Sequence, residues 1–262
     1  MNTAIEHRKV GPNTYLIGGY IPVPGMGVLP VNAYVIRADE PVLIDTGLAA
    51  MREDFLSHLA EVIDPQALRW IWITHTDPDH LGNLAAVLEQ APQARVVTNF
   101  LGMGKLGLLQ HQVDRVHLLN PGQSLNVGDR QLRAVQPPTY DAPETCAVYD
   151  LKDRTQYSSD CLGAVLREPA RAASDIDPDA LREGLVAWAH IDAPWLAQID
   201  PLRFDAALRE IEHLGVDRVL GSHLPPAEWM TETLLGYLES ARHVTPAEAP
   251  DQAALEQMMA QA

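Results

Sequence analysis

The chain has 262 residues, 47% hydrophobic and 21% charged, ordinary values for a globular protein able to bury a large core. Its 35 acidic against 19 basic residues leave a formal charge of −16, which disfavours phosphate-coated partners, both nucleic acid and anionic lipid. Two cysteines, Cys146 and Cys161, make no disulfide framework; no basic-then-apolar leader is visible and no stretch nears the ~20 apolar residues of a membrane span, so a cytoplasmic location is expected.

Short runs rich in Val, Ile and Tyr alternate with longer helical patterns. Tyr15–Ile17, Asn32–Ile36 and Val42–Ile44 read as strands. The turn-rich stretch from Tyr20 to Pro30 is either a loop at a pocket mouth or a plain hairpin connection. Met51 to Ile63 carries Phe55, Leu56, Leu59 and Val62 at helical spacing, and Asp64-Pro65 stops it. Trp70–Ile73 is a buried strand, Leu81–Gln90 a helix, Arg95–Val97 a strand and Asn99–Gln110 a helix. In the second half, Leu132–Val135, Cys146–Tyr149, Gln156–Ser158 and Val216–Leu220 are strands. Helices are expected over Asp177–Trp188, with Asp177 as N-cap and Pro178 at the first position, over Pro201–Leu214 ended by Gly215, and over Ala227–Arg242. Residues 1–243 are expected to form one layered α/β domain and 244–262 a C-terminal tail, a loose arm or a short helix.

The segment Thr74-His75-Thr76-Asp77-Pro78-Asp79-His80-Leu81-Gly82-Asn83 follows the apolar strand and precedes a helix. It holds four potential ligands, His75, Asp77, Asp79 and His80, within six residues. Close carboxylates repel unless a cation neutralises them, so this crowding points to metal. The competing reading is a polar turn in which Asp77-Pro78 caps the helix. Cys161 is expected as a buried free thiol, and His111 and His117 in surface or capping roles. His7, His58, His213 and His243 join no constellation.

These residues resemble the metallo-β-lactamase superfamily pattern His-x-His-x-Asp-His. Val42-Leu43-Ile44-Asp45-Thr46-Gly47, Ser158-Ser159-Asp160 and Gly221-Ser222-His223 are similar to three further segments of that family, in the same order and each at a strand end. The resemblance implies a four-layer αββα metallo-β-lactamase fold. Asp77 stands where the family has its second histidine. A carboxylate there resembles the flavodiiron proteins and the flavin-free oxygen-binding diiron proteins, which carry Glu. Pro138 to Thr145, followed by Tyr149, looks like the flavodiiron stretch Pro-x-x-His-Trp-Pro-Asp-Ser, and places Asp141 at that family's third histidine. Carried over residue by residue, one site would hold His75, Asp77 and Asp141, the other Asp79, His80 and His223, with Asp160 bridging and Asp45 orienting a ligand histidine. His190 and Trp195 are pocket candidates by the same resemblance.

A set of three imidazoles and four carboxylates without thiolate suits two iron ions, with zinc or manganese as alternatives. Three functions follow as expectations. The first is a diiron protein that binds or reduces dioxygen or nitric oxide. The 262 residues leave no room for a flavodoxin domain, so reduction would need a separate electron donor; the resemblance also implies a homodimer. The second is a dinuclear hydrolase of an ester, lactone, thioester or phosphoester, in which metal-bound water is the nucleophile. The third is a non-catalytic metal-binding module. In each case the partner is a small molecule, not nucleic acid or membrane.

Overall fold

A computed structural model of the chain describes residues 5–246 and 251–261. The first half builds a seven-stranded sheet in chain order, β1 (Glu6–Lys9), β2 (Thr14–Val23), β3 (Gly27–Ile36), β4 (Val42–Ile44), β5 (Trp70–Trp72), β6 (Arg95–Thr98) and β7 (Val116–Leu118). Strands β1 to β4 run antiparallel, and β4 to β7 are parallel. The parallel half needs crossovers, and α1 (Arg52–Val62), α2 (Pro78–Leu81), α3 (Leu84–Gln90) and α4 (Phe100–Leu108) supply them. The second sheet holds β8 (Ser124–Asn126), β9 (Gln131–Val135), β10 (Ala147–Asp150), β11 (Thr155–Tyr157), β12 (Arg218–Leu220) and β13 (Ala227–Glu228). Strands β11 and β12 are parallel, joined through α5 (Pro178–Asp192) and α6 (Pro201–Leu214). After β13 come α7 (Thr231–Ala241) and α8 (Gln252–Gln261), the latter within the stretch expected as a tail.

The layers follow from alternation along the strands. Tyr34, Ile36, Val42, Ile44 and Trp72 face Leu132, Ala134, Val148, Tyr157 and Leu220, closing a core between the sheets. Their strand neighbours Val35, Leu43 and Ile71 face outward onto Phe55 and Leu59 of α1 and Leu84 and Val87 of α3. On the far side, Val219 and Ala227 pack with Leu185 of α5, Phe204 of α6 and Leu235 of α7. This is the expected four-layer αββα arrangement. Among the described residues no helix is long and apolar enough to cross a membrane.

Helix starts follow local chemistry. Asp177 and Asp200 each accept a backbone N–H three residues on, from Ala180 and Arg203, with proline at the first helical position. Gly215, at φ 65°, closes α6 in the left-handed conformation that glycine adopts without penalty.

Of the two alternatives for Tyr20 to Pro30, the hairpin is found: β2 and β3 pair from Thr14↔Ile36 to Val23↔Gly27. Other expectations are corrected. The helix expected from Ala227 begins at Thr231, because Ala227 and Glu228 pair with Val219 and Arg218. The Leu81–Gln90 helix is broken at Gly82-Asn83, where the Asn83 amide donates to the carbonyls of Thr46 and Leu48. Helix α5 runs four residues past Trp188, to Asp192.

Both cysteines are buried free thiols, and burial pushes each up to about 12. Thiolate is the reactive form, so neither is expected to react with iodoacetamide at pH 8 until the chain is unfolded. Labelling of either thiol in the folded protein, read by mass spectrometry, contradicts this burial.

Candidate metal centre

The candidate ligands sit where strands end. His75 follows β5, and Asp79 and His80 lie in α2, the single turn after it. Asp160 follows β11 and His223 follows the parallel strand β12. Asp141 comes from the loop between β9 and β10. Parallel strands aim their carboxyl ends the same way, so residues far apart in sequence meet at one edge of the sandwich. The two sheets are tied there by backbone: Cys146 N–H donates to the Thr74 carbonyl (2.8 Å), Asn32 N–H to the Ser222 carbonyl (3.0 Å) and the Tyr34 hydroxyl to the Gly221 carbonyl (2.8 Å).

Each of the three imidazoles is held by Nδ1. His80 Nδ1 lies 2.9 Å from Asp45 Oδ2, His223 Nδ1 lies 2.7 Å from the Pro30 carbonyl oxygen, and His75 Nδ1 lies 3.2 Å from Ser159 Oγ. A ring donating at Nδ1 keeps its Nε2 lone pair free, the tautomer a metal needs. Asp45 itself is fixed by Thr74, whose N–H and hydroxyl both donate to it at 2.8 Å. Asp45 and Ser159 both adopt φ 57°, left-handed conformations uncommon for residues other than glycine. Close packing adds to the constraint, since a Cβ on Gly163 would lie 2.5 Å from Trp188 Nε1 and 2.9 Å from His223 Cβ.

The Nε2 atoms converge on carboxylates. Asp160 Oδ1 lies 2.9 Å from His80 Nε2 and 3.4 Å from His223 Nε2, and its Oδ2 is 3.7 Å from His75 Nε2. Asp79 Oδ2 lies 3.1 Å from His223 Nε2 and 3.5 Å from His80 Nε2. Asp141 Oδ1 is 3.9 Å from His75 Nε2. Ligating atoms of His75, Asp77 and Asp141 fall within 4.8 Å of one another, as do those of Asp79, His80 and His223, and those of His75, His80 and Asp160. Asp77 is the N-cap residue of α2 by position, yet its side chain makes no capping bond, so the capping role does not account for its carboxylate.

Burial and charge pull these groups in opposite directions. Burial raises the Asp160 carboxyl, but His80, His223 and His75 outweigh it and hold the group well below the usual range. Burial lowers His223, but Asp160 and Asp79 overcome it and push the ring up to about 10; His80 is raised in the same way. Burial, aided by Asp160 and Asp141, pushes Asp192 up to about 8. The carboxylates thus demand positive charge, which protons on the rings meet in the protein alone and a metal ion would meet in their place. His75 Nε2, His80 Nε2 and Asp160 Oδ1 are buried without a hydrogen-bond partner, so even the 2.9 Å contact lacks hydrogen-bond alignment. Orphaned buried donors in a set of imidazoles and carboxylates fit a pair of metal ions.

Residues outside the seven also meet this edge. Trp188 Nε1 donates to the Asp160 carbonyl (2.9 Å) and its ring lies 4.6 Å from that of His223. Trp195 Nε1 donates to the Tyr140 carbonyl (3.0 Å), beside Asp141. His190 turns the other way, with Nε2 2.9 Å from the Ala241 carbonyl oxygen of α7. Glu144 is fully buried, accepting from Thr76 Oγ1 (2.6 Å) and Lys105 Nζ (2.5 Å). Sequence reasoning missed Asp192, whose oxygen lies within 4.8 Å of those of Asp141 and Asp160. Its only signal was its place four residues beyond Trp188 on a helix that had been expected to stop there. The expectation that His7 and His58 join no constellation is corrected: their Nδ1 atoms are 2.9 Å apart, with Glu61 3.6 Å from His7, tying β1 to α1.

The sequence profile of the ODP family beta lactamase matches residues 29–185. The chain is 33% identical over 137 residues to the Type A flavoprotein fprA of Rhodobacter capsulatus, covering 51% of this chain and 32% of that protein. It is 25% identical over 147 residues to a nitric oxide reductase of Moorella thermoacetica, covering 56% and 37%. The rubredoxin oxygen:oxidoreductase structure from Desulfovibrio gigas superposes with a TM-score of 0.78 at 21% identity, covering 90% of this chain and 61% of that one, a likeness of fold. The chain spans less than two thirds of the curated relatives it matches, 23% of one and 53% of another.

Proposed function

The chain belongs to the ODP beta-lactamase family, and from that premise we propose that it is a cytoplasmic diiron protein that binds or reduces dioxygen or nitric oxide. One observation carries the reading: three buried imidazoles, each tied through Nδ1, turn their Nε2 atoms toward a buried carboxylate that none of the tying groups neutralises. His75, Asp77 and Asp141 would hold one ion, Asp79, His80 and His223 the other, and Asp160 would lie between them. Iron suits this donor set better than zinc because it accepts more oxygen ligands, and its chemistry when bound is to exchange electrons with a small diatomic molecule. The relatives named a nitric oxide reductase and a rubredoxin oxygen:oxidoreductase support that substrate class.

The chain's own residues prepare the site. Asp45 fixes the His80 tautomer, and the Pro30 carbonyl does the same for His223. Trp188 packs its ring against that of His223 while donating to the backbone carbonyl of Asp160. Electrons for reduction are proposed to come from a separate donor protein or domain, and a homodimer is proposed from the resemblance.

The test is anaerobic loading with ferrous iron, metal counting, and visible spectroscopy before and after exposure to dioxygen or nitric oxide. Two irons per chain and a spectral change on exposure are expected. Tight zinc with turnover of a chromogenic ester or lactone would replace this reading with a hydrolase, and a stable fold without affinity for either metal would leave a non-catalytic module.

A further inference from the structure

We propose that Asp192 is a further metal ligand, adding a buried carboxylate to the ion held by His75, Asp77 and Asp141. The inference rests on the dinuclear reading above and extends it to a residue outside the seven. Asp192 is the last residue of α5 and only 4% exposed. Neither of its carboxylate oxygens has a hydrogen-bond partner, and both are buried. One of them lies within 4.8 Å of an oxygen of Asp141 and of an oxygen of Asp160, so three carboxylates crowd together. An unpaired buried carboxylate is among the costliest groups a fold can keep, and two like neighbours add repulsion. A cation at their centre removes both costs at once.

The other side of the site explains the need. Asp141 is exposed and Asp77 half-buried, so His75 is the one buried donor among that ion's three own ligands. Helix α5 is also positioned to deliver a ligand. Trp188, one turn earlier, is anchored on the Asp160 carbonyl, and Trp195, just beyond the helix, is anchored on the Tyr140 carbonyl beside Asp141. The end of α5 is therefore tied on both sides to backbone that carries ligands. No other role for the Asp192 side chain is visible: it caps nothing and closes no hydrogen bond among the described residues.

The 262-residue chain loaded with iron, together with Asp192→Asn and Asp192→Glu, tests this by chelator competition, metal counting and thermal melts. In the wild type two irons per chain are expected. In Asp192→Asn one of the two should be held at least ~100-fold more weakly, beyond the roughly 10-fold to 100-fold range typical for losing a group behind a ligand. Asp192→Glu should recover part of that affinity. X-ray absorption should show fewer oxygen neighbours per iron in the asparagine variant. A chelator-stripped melt gives the opposite sign: without metal, Asp192→Asn should melt no lower than wild type, because it relieves repulsion, and should gain less on loading. Two irons held at wild-type affinity in Asp192→Asn, or a lower metal-free melting temperature, would overturn the role of Asp192 alone. A wild type that fails to hold two metals removes the dinuclear reading itself.

Discussion

Asp160→Asn is expected to cost the protein at least one metal ion and to weaken the other by more than ~100-fold, about 2.7 kcal/mol of binding free energy. The substitution keeps the shape of the side chain and removes the charge on which three rings converge: His80 at 2.9 Å, His223 at 3.4 Å and His75 at 3.7 Å. An amide also presents an N–H group where these rings need an acceptor or a shared cation. Because ligands and fold are linked, thermal stabilisation by added metal should shrink with the affinity. Metal content after gel filtration measures the effect, and two tightly held ions in the variant would refute the assignment of Asp160 to the centre.

Removing Arg130 should produce the largest change in stability away from that centre. Arg130 is 4% exposed, and its guanidinium donates to Asp150 and Asp153 at 2.8 Å and to Asp129 at 3.0 Å. Asp150 is fully buried, and burial already raises its carboxyl despite the arginine. Arg130→Met leaves that charge unpaired, at a cost of roughly 3–5 kcal/mol. For a chain of this size the melting temperature should fall by roughly 6–20 °C. The exposed pair Arg167 and Glu183, at 3.1 Å, should by contrast shift stability by at most ~1 kcal/mol, because water screens it.

The pH dependence of the Arg130 deficit has a definite sign. Its hydrogen bond to Arg130 holds the Asp129 carboxyl below the usual range. A depressed folded value contributes stability above the unfolded value near ~3.9, and that contribution is lost as pH falls through the folded value. Without the arginine the folded values of Asp129 and Asp150 rise, so the variant can take up protons earlier on acidification. The deficit against wild type should be largest at neutral and alkaline pH and narrow towards pH 4. A deficit that grows on acidification between pH 7 and 4, measured by denaturant melts, is incompatible with this network.

How much of this was written in the chain differs from residue to residue. The 74–80 turn announced itself, because four ligand-type side chains crowd a strand end where an uncharged turn would serve. The start of α5 and both ends of α6 were equally open to reading from Asp177-Pro178, Pro201 and Gly215, since capping chemistry is local. Strands β1, β7 and β8 went unseen because their short runs carry little apolar alternation and are held by partners in the sheet. The strand β13 was hidden in a stretch that reads as helix, and only β12 beside it decides otherwise.

Local chemistry therefore set the layered α/β alternation, the capped helix starts and the presence of a cluster of ligand-type residues after β5, while the four-layer αββα plan followed from the family resemblance. Tertiary packing alone decided which distant residues join that cluster. It turned His190 onto the Ala241 carbonyl while bringing Asp192, two residues later, to Asp141 and Asp160. It also paired His7 with His58, 51 residues away. Periodicity records which face of a strand or helix is apolar. It does not record where a helix stops against its neighbours, and the last turn of α5 depends on that stop.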